Sequence, residues 1–467
     1  MNSLDPGKLT SVDEHGDHLT IIPAEVKGFF RRHRTWSQTV LLVIFLVIPW
    51  TTFNGHQTIL LDIPQREFAL FGVLFKAHDA PLLFFIFGTL ALGLAFVTSI
   101  WGRVWCGWAC PQTVFIDGVY RRIEQWTEGN YIKRRALRDG PMTFEKFRRT
   151  GLKWSLFFVV SSLISHSFIA YFVSAEELVR MTQLPPSENM TYFILVTFFT
   201  AVILFDFGWF REQFCVIMCP YGRIQSVLLD QKSMAVVYDV QRGEPRKGKA
   251  PAGQPAGDCV ACNRCVQVCP TGIDIRNGLQ MECIACTACV DACDEIMEKV
   301  KKPKGLIRYD TLDGSKISLL KPRSLIYMAA IVCLVIGLGY AVTTREPAHF
   351  TILRGAGLPY SYVKNTGGEE VILNQFRVHI QNQGTTEALY ELSLPAEILA
   401  QGVEINVAEN PLRLGHDEFR EWYFFVRIPP QLLSKYHGKL KTQLKIRDLN
   451  PNDYSATREL ILVGPKE

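Results

Sequence analysis

Five apolar stretches interrupt an otherwise mixed chain, at roughly 37–53, 81–100, 153–173, 189–206 and 324–344. Each approaches the roughly 20 residues that carry a helix across a bilayer. The first, Thr39–Trp50 with its flanks, is the shortest, and a buried core helix competes with a span there. Basic residues gather on alternate connections: Lys27, Arg31, Arg32 and Arg34 before the first run, and Arg121, Arg122, Lys133, Arg134, Arg135 and Arg138 after the second. The 174–188 connection has Glu176 and Glu177 with only Arg180. The positive-inside rule then puts the N-terminus, 101–152 and 207–323 in the cytoplasm, and the region after the fifth run on the far side. From about 346 the pattern changes to short alternating segments: Gln375–Gln381, Leu389–Leu394, Glu421–Ile428, Lys439–Ile446 and Glu459–Val463. Turn residues part them, as at Asn382–Gly384 and Asn450–Asp453. That texture predicts an immunoglobulin-like β-sandwich without the usual inter-sheet cysteine pair.

The expected architecture is a multi-domain membrane protein. An α-helical bundle of about five spans carries a two-cluster ferredoxin-like insert and a C-terminal immunoglobulin-like sandwich. The boundaries read as a cytoplasmic N-terminal segment at 1–36, a four-span region at 37–240, a flexible Pro/Gly/Lys-rich linker at 241–258 and a ferredoxin domain at 259–300. The fifth transmembrane helix follows at 324–344 and the extracytoplasmic sandwich at 346–467. The first 25 residues are polar, so no cleavable signal is expected. A length of 467 residues requires several units, and 48% hydrophobic with 20% charged residues suits spans plus globular parts. A formal charge of +5 gives no case for nucleic-acid binding.

Thirteen cysteines are clustered rather than scattered, and none follows Cys333. This argues for ligands or redox thiols rather than a disulfide framework. Cys259-x-x-Cys262-x-x-Cys265-x-x-x-Cys269-Pro270 is repeated as Cys283-x-x-Cys286-x-x-Cys289-x-x-x-Cys293-Asp294. In the bacterial two-cluster run the tight triplet feeds one cubane and the fourth cysteine ligates the other. Cys259, Cys262, Cys265 and Cys293 are thus expected on one [4Fe–4S] cluster, and Cys283, Cys286, Cys289 and Cys269 on the second. Structural zinc, the competing reading, uses separated C-x-x-C knuckles and leaves the other cysteines idle. Asp294 stands where proline would follow, which alters local backbone but not ligation.

A second constellation is Cys106/Cys110 and Cys215/Cys219, each written C-x-x-x-C-P after an apolar run and an aromatic residue, Trp105 or Phe214. The echo suggests a duplicated unit with both thiol pairs on one membrane side. Helical spacing places residues four apart on one face, but the proline pushes each second cysteine out of helical geometry. Soft thiolates select Cu(I), zinc or iron–sulfur centres; inert buried thiols and a redox-active dithiol are the alternatives. His166 reads first as a satisfied interior histidine rather than a haem or copper ligand. Asp206 is either an interfacial acid or a guide for metal or protons, and Cys333 is a small packing residue. His349 and His416 are too isolated to suggest a site.

The WCGWACPQ and CVIMCPYGR segments, the doubled ferredoxin run, the final span and the sandwich tail together resemble the FixG/CcoG (RdxA) family of bacterial cytochrome c oxidase accessory proteins. The resemblance covers nearly the whole chain. It implies a protein of the bacterial inner membrane that serves assembly of a copper-containing cbb-type oxidase by reducing Cu(II) to Cu(I). Electrons would come from a cytoplasmic donor through the clusters to copper at Cys106, Cys110, Cys215 and Cys219. A copper chaperone or transporter, oxidase assembly factors and membrane lipid would be the partners. Two alternatives stay open: a quinone-linked membrane electron-transfer subunit, and a non-catalytic redox-sensing scaffold.

Overall fold

The computed structural model describes residues 21–53, 55–64, 67–75, 80–248, 255–344, 346–355, 357–364, 369–382, 387–415, 418–449 and 454–465. His416, the 450–453 turn and most of the N-terminal segment lie outside them. The chain divides into two compact units, Met1–Tyr340 and Ala341–Glu467.

The first unit opens with helix α1 (Phe29–Val47), which ends in a tight turn at Pro49. Small strands follow: β1 (Thr52–Phe53), β2 (His56–Gln57), β3 (Ile59–Asp62), β4 (Glu67–Leu70) and β5 (Val73–Phe75). Then come α2 (Ala80–Trp101), α3 (Val104–Trp108), α4 (Pro111–Phe115), α5 (Arg121–Glu128) and α6 (Tyr131–Asp139). Next are α7 (Phe144–Val173), α8 (Ala175–Gln183), α9 (Met190–Ile203) and α10 (Pro220–Leu228). Side-chain caps fix several starts: Asn130 accepts from Lys133 N, Thr143 from Lys146 N and Ser174 from Glu177 N. The unit continues through β6 (Met234–Tyr238), α11 (Val240–Gly243), α12 (Arg264–Gln267), α13 (Ala288–Lys299), β7 (Ile307–Thr311) and α14 (Pro322–Thr343).

Among the described residues, four helical stretches are long and apolar enough to cross a membrane: Leu82–Trp101, Phe144–Val173, Met190–Phe210 and Pro322–Thr343. The first apolar run is not among them, because its helix starts eight residues early and carries Arg31, Arg32, His33 and Arg34 in its opening turns. Even so, α1 follows the bundle from one end towards the other. Its start meets α13, and near its finish the Phe45 carbonyl accepts from the Tyr171 hydroxyl at 2.9 Å. Cys333, read as a small packing residue, lies exposed on α14, a helix that buries little of its surface against the rest of the chain.

The ferredoxin-like body is larger than 259–300. β6 and β7 pair antiparallel from Met234 opposite Thr311 to Tyr238 opposite Ile307, and so close it from both sides. The linker reading of 241–258 also needs correction: its described ends are clamped, not free. Arg242 pairs with Asp258 at 2.6 Å, Gly257 N donates to Pro245 O, and Lys247 N donates to Cys259 O. Residues 249–254 lie outside the described set.

The second unit is a two-sheet sandwich, as the alternation implied. One sheet orders β12 (Glu404–Val407), β14 (Phe419–Ile428), β10 (Glu370–Asn382) and β8 (Ala348–Arg354), with β9 (Ser361–Lys364) also on β10. The other orders β13 (Leu412–Leu414), β11 (Ala388–Ser393), β15 (Lys439–Asp448) and β16 (Ser455–Val463). Strict alternation along β15 turns Leu440, Leu444 and Ile446 into a core with Phe376, Phe424 and Leu462. β8, β9, β12 and β13 were not anticipated, since short or edge strands carry a weak period-two signal.

Candidate functional site: two cysteine cavities and a thiol quartet

The two cysteine runs fold as copies. Ala261 and Asn263 flank Cys262 in left-handed conformation (φ 57 for both), and Ala285 and Thr287 flank Cys286 likewise (φ 51 and 59). Left-handed backbone costs about 1–2 kcal/mol for a residue bearing a Cβ. Here it winds each loop around a cavity so that successive thiols face inward. One cavity is lined by Cys259, Cys262, Cys265 and Cys293 with Arg276, Ile296 and Met297. The other is lined by Cys269, Cys283, Cys286 and Cys289, with Cys265 in its wall. Each thus gathers three cysteines of one run and the fourth of the other. Asp294 has a structural reason to replace proline: α13 continues past it to Lys299, and its carboxylate accepts from Gly305 N at 2.8 Å.

Among the described residues no three His, Cys, Asp or Glu side chains converge as one metal ion needs. Thiols around an apolar void, too spread for tetrahedral zinc, suit a cubane in which each sulfur meets its own iron. Burial pushes the Cys265 and Cys269 thiols up to about 11, and Cys283 and Cys293 up to about 12. Without metal these groups hold their protons at neutral pH, so loading iron must release them.

The C-x-x-x-C-P motifs also fold alike. In each, the second cysteine is an extended residue before a helix whose first position is proline: Cys110 before α4 (φ −61, ψ 129) and Cys219 before α10 (φ −67, ψ 110). In each, that cysteine's N–H donates to the aromatic residue ahead of the first cysteine: Cys110 N to Trp105 O at 2.9 Å, and Cys219 N to Phe214 O at 2.8 Å. The four thiols lie within electrostatic reach of one another. Burial pushes Cys106 up to about 11 and also raises Cys110 and Cys215. Gln225 donates to Cys106 Sγ at 3.3 Å.

The quartet abuts the second cavity. A Cβ on Gly107 would stand 2.6 Å from Ile284 O and 2.9 Å from Ala285 O, so only glycine lets α3 lie on the Cys283–Cys289 loop. Arg103 fastens the joint by donating to Met281 O, to Cys283 O at 3.3 Å and to Gly222 O at 3.0 Å. Trp108 donates to the Tyr309 hydroxyl (3.1 Å), which donates to Ala285 O (2.8 Å). Gly107→Ala is therefore expected to part the two sites. Cluster content should persist, while the hydrogen bonds that hold the thiol quartet on the second cavity are lost, read as faster labelling of Cys106 and Cys110 by a thiol reagent.

Around these sites lies a buried ionic network that the sequence did not disclose. Asp117 accepts from Arg34, Arg121 and Arg31; Arg121 also meets Glu212; Glu124 meets Arg134 and Arg211. Arg31, Arg34, Arg121 and Arg134 are read above only as orientation signals, yet Arg34, Arg121 and Arg134 are buried. Stretches of wider helical turn at Ile116–Tyr120, Leu204–Phe210 and Phe214–Met218 bring the partners together. Asp206 is half-buried and accepts from Gln112 at 2.9 Å. His166 donates from Nδ1 to Ser162 O (2.7 Å) and packs edge-on against Tyr192, away from every cysteine cavity. His349 lies on β8 of the sandwich.

Comparison with known proteins agrees with this layout. Family profiles match for a 4Fe-4S binding domain over residues 82–130, a 4Fe-4S dicluster domain over 210–312, and the IG-like fold at the C-terminal of FixG over 338–465. Protein RdxB of Cereibacter sphaeroides is 34% identical across 81% of this chain and 82% of its own. Protein RdxA of the same organism is 34% identical across 84% and 87%. Nitrogen fixation protein FixG of Rhizobium meliloti is 39% identical across 62% and 57%. With apolar spans, a doubled cysteine run and relatives aligned over most of its length, the chain is a membrane iron–sulfur electron-transfer protein belonging to the FixG/RdxA family.

Proposed function

We propose that this protein reduces Cu(II) to Cu(I) at Cys106, Cys110, Cys215 and Cys219, for assembly of a copper-containing cbb-type oxidase in the bacterial inner membrane. The observation that carries the reading is the seating of the quartet on the second cysteine cavity through Gly107 and Arg103. Cys259, Cys262, Cys265 and Cys293 are the proposed ligands of one [4Fe–4S] cluster, and Cys269, Cys283, Cys286 and Cys289 of the other. When bound, these clusters supply one-electron carriers fed by a cytoplasmic donor. Each electron delivered converts one Cu(II) to one Cu(I), so two reduced clusters yield two Cu(I). The quartet offers sulfur and no three-fold convergence of ligands. That favours Cu(I), which two thiolates satisfy, over Cu(II), which seeks tetragonal nitrogen and oxygen donors. The product can then leave by thiol exchange to a chaperone or transporter.

The quinone-linked reading draws on an apolar groove lined by Trp50, Phe158, Leu163, His166 and Leu178. No cysteine lines it, which leaves that groove without a redox neighbour. One experiment separates the readings. Chemically reduced protein is mixed with Cu(II) or with a soluble quinone, and cluster reoxidation is followed by absorbance. Oxidation by Cu(II), lost when all four quartet cysteines become serine while iron content is unchanged, is the expected result. Oxidation by quinone alone would overturn the proposal.

A further inference from the structure

A polar cavity of about 270 Å³ lies between the 23–34 segment, α5, α6 and the ferredoxin-like body. At roughly 30 Å³ per water it has room for about nine waters, or one phosphate with a small organic group. Lys27, Arg31, Arg34, Arg121 and Arg134 line it, against only Glu25 and Asp117. Several of these charges are committed elsewhere: Asp117 to three guanidiniums, Arg121 to Glu212, Arg134 to Glu124, and the Glu25 carboxylate to Tyr131 N. What remains is cationic. Among the described residues Lys27 makes no hydrogen bond or ion pair, and Arg31 reaches Asp117 only at 3.4 Å. Arg121 and Arg134 line the cavity although they are only 6% and 4% exposed, and the Arg134 Nε has the Glu128 carboxylate 3.9 Å away. Guanidiniums converging on one volume match the oxygens of phosphate better than any neutral ligand.

From this cluster we infer a binding site for a phosphate-bearing anion, enclosed by residues 23–34 and the α5–α6 pair. The inference does not depend on copper reduction. Two sources share the chemistry: the headgroup of an anionic phospholipid, which basic pockets beside membrane helices hold, and a free phosphate compound. The site also touches the electron path, since its wall includes Pro270 and Ala288, neighbours of Cys269 and Cys289. A bound anion there disfavours adding an electron to the second cluster.

The test uses the full-length protein in nanodiscs. In one arm, inorganic phosphate is titrated into phosphatidylcholine discs by calorimetry; in the other, retention of phosphatidylglycerol from mixed discs is measured by native mass spectrometry. Saturable binding in the first arm assigns a free phosphate compound, and selective retention in the second assigns a headgroup. In either case Lys27→Gln/Arg31→Gln should weaken binding at least tenfold, with iron content unchanged. Lys27→Gln alone, expected to weaken binding severalfold, serves if the double variant does not fold. No binding in either arm, or binding indifferent to these changes, overturns the inference.

Discussion

A Cys259→Ala/Cys293→Ala double variant is expected to keep about half of its iron, near four of about eight atoms per chain. Those two cysteines lie 34 positions apart in sequence yet line one cavity, so both losses fall on one cluster. Cys259→Ala/Cys269→Ala, although confined to a single run, is expected to lose nearly all iron, because its members line different cavities. Ligation of each cluster by a contiguous run would reverse the two results. Iron and acid-labile sulfide assayed on anaerobically purified protein decide between them. The thiols' raised proton affinity adds a sign. At pH below the thiol values each ligand must lose a proton before it binds iron, so reconstitution of the apoprotein should weaken on acidification from pH 8 to 6.

The second large effect belongs to Asp117. Its carboxylate is buried beneath Arg34, Arg121 and Arg31. Burial alone would push its pKa up, but the guanidiniums outweigh burial and hold it well below the usual carboxylate range. Asp117→Ala leaves those cations without their shared partner, a loss of about 3–5 kcal/mol on the scale of broken buried pairs. The variant should accumulate poorly in the membrane, and thermal unfolding in detergent should begin many degrees lower. Because the folded pKa lies below the unfolded one, the contribution is complete above about pH 5 and disappears only as acid approaches the folded value. Wild-type stability should therefore show no slope from this group between pH 6 and 8. A midpoint in that interval abolished by Asp117→Asn would contradict the assignment.

What the sequence disclosed was whatever depends on neighbours along the chain. The spacing of Cys259 to Cys293 specifies the paired cavities, and long apolar runs specify four helices. Alternation from Gln375 to Val463 specifies the longer sandwich strands. The duplicated C-x-x-x-C-P reading gained a backbone counterpart in the matched bonds to Trp105 and Phe214. What stayed hidden depends on distant segments. Asp117 draws partners from α1 and α5, and Arg121 reaches Glu212, so each arginine taken singly looks like a surface charge at a membrane boundary. Gly107 reads as an ordinary glycine until the 284–285 backbone is laid against it. The start of α1 was misplaced for a similar reason. Its first turns are polar, and two of their N–H groups find an acceptor in Asp291, which takes bonds from Phe30 N (3.2 Å) and Arg31 N (2.7 Å).

That last contact sets an order of events during synthesis. Helix α1 is made early, but the carboxylate that completes its first turn is encoded 260 residues later. At about 5–20 residues per second the ribosome needs roughly 13–52 s to supply it. Until then the opening turn of α1 has only water as acceptor, and α1 cannot take its final seat before the cluster-binding part emerges.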